Sequence, residues 1–331
     1  MKFGLMLSTQ YPRRTRVADY VEGLVEQVRL AQDLGFSSIW TLQHYAANLD
    51  TLQPLQVLAR MIPESGNMSL GTNIFVLPLH HPVVAAEQFA TLDQLSNGRA
   101  IAGVGMGYRR TEAQALGVEL SERVGRLSES ISIMRKLWRD EPVQHVGRYY
   151  TLDDVSIGLL PVQDGGPPIW IGAEADAAVA RAARLGDEVI MLQVLKASRI
   201  ERLLELYRSA REEAGRPPSQ EYPIFREVCI RDTREAAQDT ARPYLAAEAQ
   251  AYAKYGVEFL LERLEELMQG AYLLCDSAEC ISRIHVLEDL GMNHLIIRVQ
   301  WCGMNQREAM LSLERFGREV MPAFSRESVG P

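Results

Sequence analysis

The chain has 331 residues, 47% of them apolar and 24% charged, with a formal net charge of −8 at pH 7. That balance is ordinary for a soluble globular enzyme, and the lack of any Lys or Arg block argues against a nucleic-acid partner. The longest apolar runs, such as Ile74 to Leu79, have strand length and fall far short of a membrane span.

The opening "MKFGLMLSTQYP" reads as a first strand, Phe3–Leu7, and not as a signal peptide: it has one charge and no small-residue cleavage site. A cytoplasmic location is the matching expectation. An amphipathic helix, Val17–Leu34, follows and ends at "DLGFSSIW", where Gly35 supplies the left-handed cap. The same order of helix, Leu-Gly and apolar run recurs at "RLGDEVIM" and "DLGMNHLI".

Taken in chain order, strands are predicted at Phe3–Leu7, Ser38–Leu42, Met68–Val76, Ala100–Val104, Ile169–Gly172, Glu188–Leu192, Ile224–Ile230 and His294–Val299. Predicted helices alternate with them: Pro54–Met61, Pro82–Leu95, Ser121–Trp138, Ala177–Leu185, Ala197–Ala214, Arg234–Ala247, Ser277–Leu290 and Gln306–Val320. Repeated βα units predict an α/β fold with a parallel sheet, closed here into a (β/α)8 TIM barrel. An open doubly wound sheet would carry its glycine fingerprint at the first βα turn, and "LSTQYPRR" has no glycine. One domain, 1–331, is expected, with insertions near 140–168 (a hairpin and a Pro/Gly-rich approach) and 252–274 (helical).

A barrel of this kind places its active site at the C-terminal ends of the strands. His44 falls at such an end, where an imidazole suits a general acid or base; capping a loop is the equal alternative from position alone. The turn Gly172, Ala173, Glu174, Ala175 leads into a helix whose N-terminus can hold a phosphate, or is simply a tight βα turn. In "GVGMGYRR", Gly103, Gly105 and Gly107 alternate, but Tyr108 stands where a dinucleotide fingerprint wants glycine. These glycines are better read as thinning the barrel wall so that a flat ring lies close to the backbone. Ser8, Tyr11, Gln300 and Trp301 are candidates for a substrate pocket. The cysteines, Cys229, Cys275, Cys280 and Cys302, form no C-x-x-C pair and read as free thiols, with no metal site expected.

The run from Leu70 to Val118, "LGTNIFVLPLHHPVVAAEQFATLDQLSNGRAIAGVGMGYRRTEAQALGV", resembles the core signature of the bacterial luciferase-like family of flavin-dependent oxidoreductases. "ERVGRLSESISIMRKLW", "PPIWIGAEADAAVARAARLGD" and "FREVCIRDTREAA" continue the resemblance over nearly the whole chain. It implies a barrel that binds FMN or a deazaflavin coenzyme of the F-420 type. His44 then matches the active-site histidine, and Thr72, Asn73 and Ile74 match a third-strand site with a non-proline cis peptide, at Asn73–Ile74 or Thr72–Asn73. Gly105, Met106, Gly107, Tyr108 and Leu192 match cofactor-facing positions, and the Gly172 to Ala175 turn matches the phosphate site.

Departures are visible. Gln43 stands where an acidic residue often precedes the histidine. Met106 stands where luciferase has a phosphate-binding arginine, for which Arg109 or Arg110 could substitute. Tyr108 stands where some deazaflavin sugar-phosphate dehydrogenases have a catalytic glutamate. The resemblance implies a monooxygenase using reduced FMN from a separate flavin reductase and acting on a small organic substrate. The alternatives are deazaflavin-dependent hydride transfer and, in another class, a flavin carrier without turnover. It also implies a homodimer through the second and third helices.

Overall fold

The computed structural model describes residues 1–46, 49–254 and 256–324. Eight parallel strands form the barrel: β1 (Lys2–Met6), β2 (Ser38–Thr41), β3 (Ser69–Thr72), β4 (Ala100–Gly105), β5 (Ile169–Ala173), β6 (Glu188–Met191), β7 (Pro223–Ile230) and β8 (His294–Arg298). Each pairs with its neighbours in sequence. β8 returns to β1, with Leu5 opposite Ile297, and β4 meets β5, with Val104 opposite Ile171, so the sheet has no open edge. Most strand residues are buried, as the continuous apolar runs require of a parallel sheet covered on its outer face.

The covering helices are α1 (Val17–Asp33), α2 (Pro54–Met61), α3 (Pro82–Leu95), α4 (Arg110–Ala115), α5 (Arg123–Leu137), α6 (Asp176–Leu185), α7 (Ala197–Glu213), α8 (Arg234–Ala253), α9 (Phe259–Glu262), α10 (Leu264–Gly270), α11 (Ser277–Asp289) and α12 (Gln306–Arg315). The expected hairpin is present: Val143–Val146 pairs antiparallel with Thr151–Val155. Inside the second insertion, Leu273–Cys275 adds a short parallel strand to β7.

Several boundaries differ from expectation, and two of them shape the site. The third strand does not run unbroken from Met68 to Val76. It stops at Thr72, turns through a cis Asn73–Ile74 bond, and resumes as Phe75–Val76 beside β4. The eighth helix does not stop at Ala247 but continues to Ala253, because "AEAQAYA" keeps high helix propensity without a cap signal. The helix expected from Ser121 begins at Arg123, after a 3-10 turn at Leu120–Glu122.

The barrel interior is plugged at its N-terminal end. Trp40 and Trp170 pack with ring centroids 5.2 Å apart, joined by Met6, Ile101, Ile190, Phe225 and Ile296. Gly71 lies under the Trp40 ring, where an added Cβ would come within 2.2 Å of Cζ3. Trp40 donates to Ser38 Oγ (2.8 Å), which contacts His294 Nε2 (2.9 Å). With this end filled, the space in the barrel lies toward the C-terminal ends of the strands.

Candidate active site

A cavity of about 480 Å³ sits at that end, floored by Met6, Leu42 and Phe225 and roofed by residues of α8, α9 and the segment between them. A volume of this size suits a cofactor-sized ligand. Its lining includes His44, Asn73, Ile74, Gly105, Met106, Gly107, Tyr108, Gly172, Ala173, Glu174, Ala175 and Leu192. The loops after five strands thus bring these predicted residues together.

His44 is held from both sides. Its Nδ1 lies 3.1 Å from Glu112 Oε1, and its Nε2 lies 3.1 Å from Tyr252 Oη. Glu112, at the start of α4, also accepts from the Tyr45 backbone N–H (2.9 Å) and from Arg109 Nη1 (2.8 Å). A carboxylate bound by these donors accepts only, so Nδ1 carries the proton and Nε2 takes the hydrogen bond from Tyr252. The Tyr252 hydroxyl in turn accepts from Gln10 Nε2 at 3.1 Å. Burial, with the nearby Glu248 carboxyl, pushes the Tyr252 phenol far above its ordinary range, so it remains a donor.

Gln43 explains one departure. Its Oε1 accepts from the Val76 backbone N–H (2.9 Å) and lies 3.2 Å from His80 Nε2. The amide therefore ties the resumed third strand to the histidine loop, and an acid there is replaced by a group that both donates and accepts. Burial lowers the His80 pKa to about 4, so its ring is neutral when stacked on Phe75 (centroids 4.0 Å apart).

Two glycines of β4 also make room for the third strand. A Cβ on Gly103 would stand 1.6 Å from the Thr72 carbonyl oxygen, and one on Gly105 would stand 2.6 Å from Ile74 Cδ1. Across the cavity, a Cβ on Gly172 would stand 2.8 Å from Ile74 Cγ2. The small residues thus make room for the bulge at Asn73–Ile74, and the bulge presents Ile74 to the cavity between β4 and β5.

At the turn, Ala175 precedes α6 without a side-chain cap, and Asp176 in the first turn is held by Arg199 and Arg202. Arg181, one turn and a half further along α6, points Nη2 at Met106 Sδ (3.1 Å), a weak acceptor, and its buried Nε has no partner among the described residues. Burial, with Arg184 and Arg123 nearby, lowers its pKa. Arg109 Nη1 donates to Glu112 Oε1 (2.8 Å) and to the Tyr45 carbonyl (3.4 Å).

Several predicted residues lie elsewhere. Thr72 is buried outside the lining and donates to the Gly103 carbonyl (2.7 Å). None of the four substrate candidates lines the cavity. Ser8 is buried, and its carbonyl accepts from Tyr20 Oη (2.7 Å). Tyr11 pairs with Asp50 in a two-stranded ribbon. Gln300 accepts from Gln27 Nε2 (2.8 Å), and Trp301 donates to Glu227 Oε2 (2.8 Å). Strand eight reaches the cavity through Arg298, its last residue, whereas Gln300 and Trp301 lie beyond the strand and are held by Gln27 and Glu227.

Sequence reasoning missed Glu112, Tyr252, Glu227, Glu248 and Arg298. Arg298 holds Glu227 with two bonds (2.8 and 2.9 Å) and Glu248 with one (2.9 Å). A signal existed: "IFREVCI" puts charge in the middle of a buried strand, and Glu248 and Tyr252 share a helix face at i, i+4.

A parallel (β/α)8 barrel with a histidine and a cis bulge at its open end is the architecture of a flavin- or deazaflavin-type oxidoreductase. Residues 1–294 match the luciferase-like monooxygenase family model, and the chain belongs to that family. It is therefore an enzyme. It is 26% identical to the oxygenase component of the flavin-dependent trigonelline monooxygenase of Acinetobacter baylyi, over 92% of this chain and 90% of that protein. It is 29% identical to the F420-dependent glucose-6-phosphate dehydrogenase of Nakamurella multipartita, over 88% of this chain and 89% of that protein. In fold it is similar to monooxygenase RslO1 from Streptomyces bottropensis, with a TM-score of 0.87, 21% identity and coverage of 98% of this chain and 100% of that one. No described helix is long and apolar enough to cross a membrane.

Proposed function

We propose that the protein is a monooxygenase that uses reduced FMN, delivered by a separate flavin reductase, to oxygenate a small organic substrate. The observation that carries this reading is the pairing of His44 with Tyr252 and Glu112 at the rim of a cavity into which the Asn73–Ile74 bulge projects. The residues fit a flavin with a phosphate tail. Ile74 offers an apolar surface for a planar ring, and the start of α6, reached by the cavity at Ala175 and Ala178, offers positive potential for the phosphate. When bound, the reduced cofactor supplies the electrons and activates oxygen. His44 and Tyr252 hold a proton at the Nε2–Oη contact, Glu112 fixes the imidazole tautomer, and the apolar roof excludes water. The relative named as an oxygenase component supports a reductase partner.

A second reading, deazaflavin-dependent hydride transfer without oxygen, draws on the F420-dependent relative of similar identity. The same ring surface and phosphate site serve both cofactors. Titrating the purified protein with FMN and with F420, and following oxygen uptake with photoreduced FMN, separates them. FMN binding with substrate-stimulated oxygen uptake is expected. Tight F420 binding without oxygen uptake would overturn the first reading in favour of the second. The reading also includes a single domain, a cytoplasmic location and a homodimer through α2 and α3, where Val84 and Leu95 are exposed.

A further inference from the structure

One wall of the cavity, built from α8, β7 and β8, carries Glu227, Glu248 and Arg298. Glu227 spends both oxygens on Arg298, and Oε2 also accepts from the Trp301 indole. Glu248 spends only Oε1, on Arg298 Nη1. Its Oε2 is buried and has no partner among the described residues, and the side chain, 7% exposed, lines the cavity. With both carboxylates ionised, the single guanidinium leaves a net negative charge, and an acceptor left unmatched in a low-dielectric site is costly until a donor reaches it. The surrounding wall is apolar: Phe225, Leu245, Ala249, Leu260 and Leu264. One helical turn beyond Glu248, Tyr252 carries the contact to His44.

Resting on the flavin-enzyme reading above, we infer that Glu248 determines substrate choice by accepting a hydrogen bond from the substrate. The substrate class is an apolar molecule with one hydroxyl or ammonium donor. The donor docks at the Glu248 carboxyl, and the apolar body lies along the roof beside the His44–Tyr252 pair. Burial, with the Glu227 carboxylate beside it and Arg298 opposing, raises the Glu248 pKa; a donor on the ligand would favour the ionised carboxylate and bring it down.

The test is binding of a matched ring series to the full-length protein, followed by ligand-observed NMR titration: toluene, benzaldehyde, benzyl alcohol and benzylamine. Benzyl alcohol or benzylamine is expected to bind at least about tenfold tighter than toluene, a margin in the range of one charge-assisted hydrogen bond. A further gain for benzylamine over benzyl alcohol identifies the donor as cationic, and equality identifies it as neutral. Glu248→Gln keeps an oxygen for Arg298 but offers an N–H₂ in place of Oε2. It is expected to erase the donor preference and shift it toward benzaldehyde, with toluene binding unchanged. Equal binding of all four probes to the wild-type protein overturns the proposal, and so does a preference for benzaldehyde. A donor preference that survives in folded E248Q does the same. FMN and F420 titrations run separately: loss of cofactor binding with the donor preference intact sinks the flavin reading alone.

Discussion

Glu112 and His44, 68 residues apart in the chain, meet at 3.1 Å through Oε1 and Nδ1. The carboxylate that orients the imidazole therefore comes from α4, in the connection after β4, while the histidine follows β2. Replacing Glu112 by Gln would present an N–H₂ or a neutral oxygen to Nδ1 and loosen the tautomer. Turnover is expected to fall by roughly 10- to 100-fold, within the range of positioned acid–base catalysis, while cofactor affinity changes little. Steady-state kinetics beside a cofactor titration check it; unchanged kcat in a folded variant removes Glu112 from the site.

Truncating His44 itself to Ala is expected to cost roughly 10²- to 10⁴-fold in turnover. The fold should persist, since the ring lies at the rim and not in the core. Activity equal to the wild type, with whichever cofactor binds, would exclude a proton-transfer role.

Tyr252→Phe leaves His44 Nε2 and Gln10 Nε2 without their shared partner. Stability should drop by about 1–3 kcal/mol, the cost of unmatched buried polar groups. Turnover should also fall, because the hydrogen bond that orients the imidazole at Nε2 is gone. Urea melts and steady-state kinetics read the two effects separately.

Gly103 and Gly172 both flank the bulge but should tolerate Ala differently. The Cβ of G103A would meet a backbone carbonyl oxygen at 1.6 Å, which cannot step aside, so destabilisation by roughly 3 kcal/mol or more is expected. The Cβ of G172A would meet the Ile74 Cγ2 methyl at 2.8 Å, a group able to shift by a rotamer change. Its effect should fall on cofactor affinity more than on the melting temperature.

His80 predicts a pH dependence of stability. Its folded pKa of about 4 lies below the ordinary value of 6.5, so the unfolded chain binds the proton first as pH falls. Its stabilising contribution is complete above about pH 6.5 and is lost as pH drops toward 4, with a slope of up to about 1 kcal/mol per pH unit. Denaturation curves at several pH values should show this slope, and His80→Gln, which retains a donor for Gln43, should flatten it.

The barrel was legible because its cause is local. Leu-Gly helix ends and apolar runs of strand length recur at "DLGFSSIW", "RLGDEVIM" and "DLGMNHLI", and each marks a real helix–strand junction. His44 and Asn73–Ile74 were legible for a related reason: each lies at a strand end in a recognisable run. The extent of α8 was missed although its cause is also local, since no cap or breaker falls between Ala247 and Ala253.

By itself, then, the sequence determined the alternation of strands and helices, the family and the end of the barrel where chemistry belongs. Those follow from periodicity, turn residues and motif spacing, which act over a few residues. Tertiary structure alone decided the partners. Glu112 and Tyr252 reach His44 across 68 and 208 residues, and Arg298 gathers Glu227 and Glu248 across 71 and 50. It also turned Ser8, Tyr11, Gln300 and Trp301 away from the cavity. The reason is geometric: most of these residues lie on loops and helices beyond the strand ends, and only closure of the sheet decides which of those segments meet over the cavity.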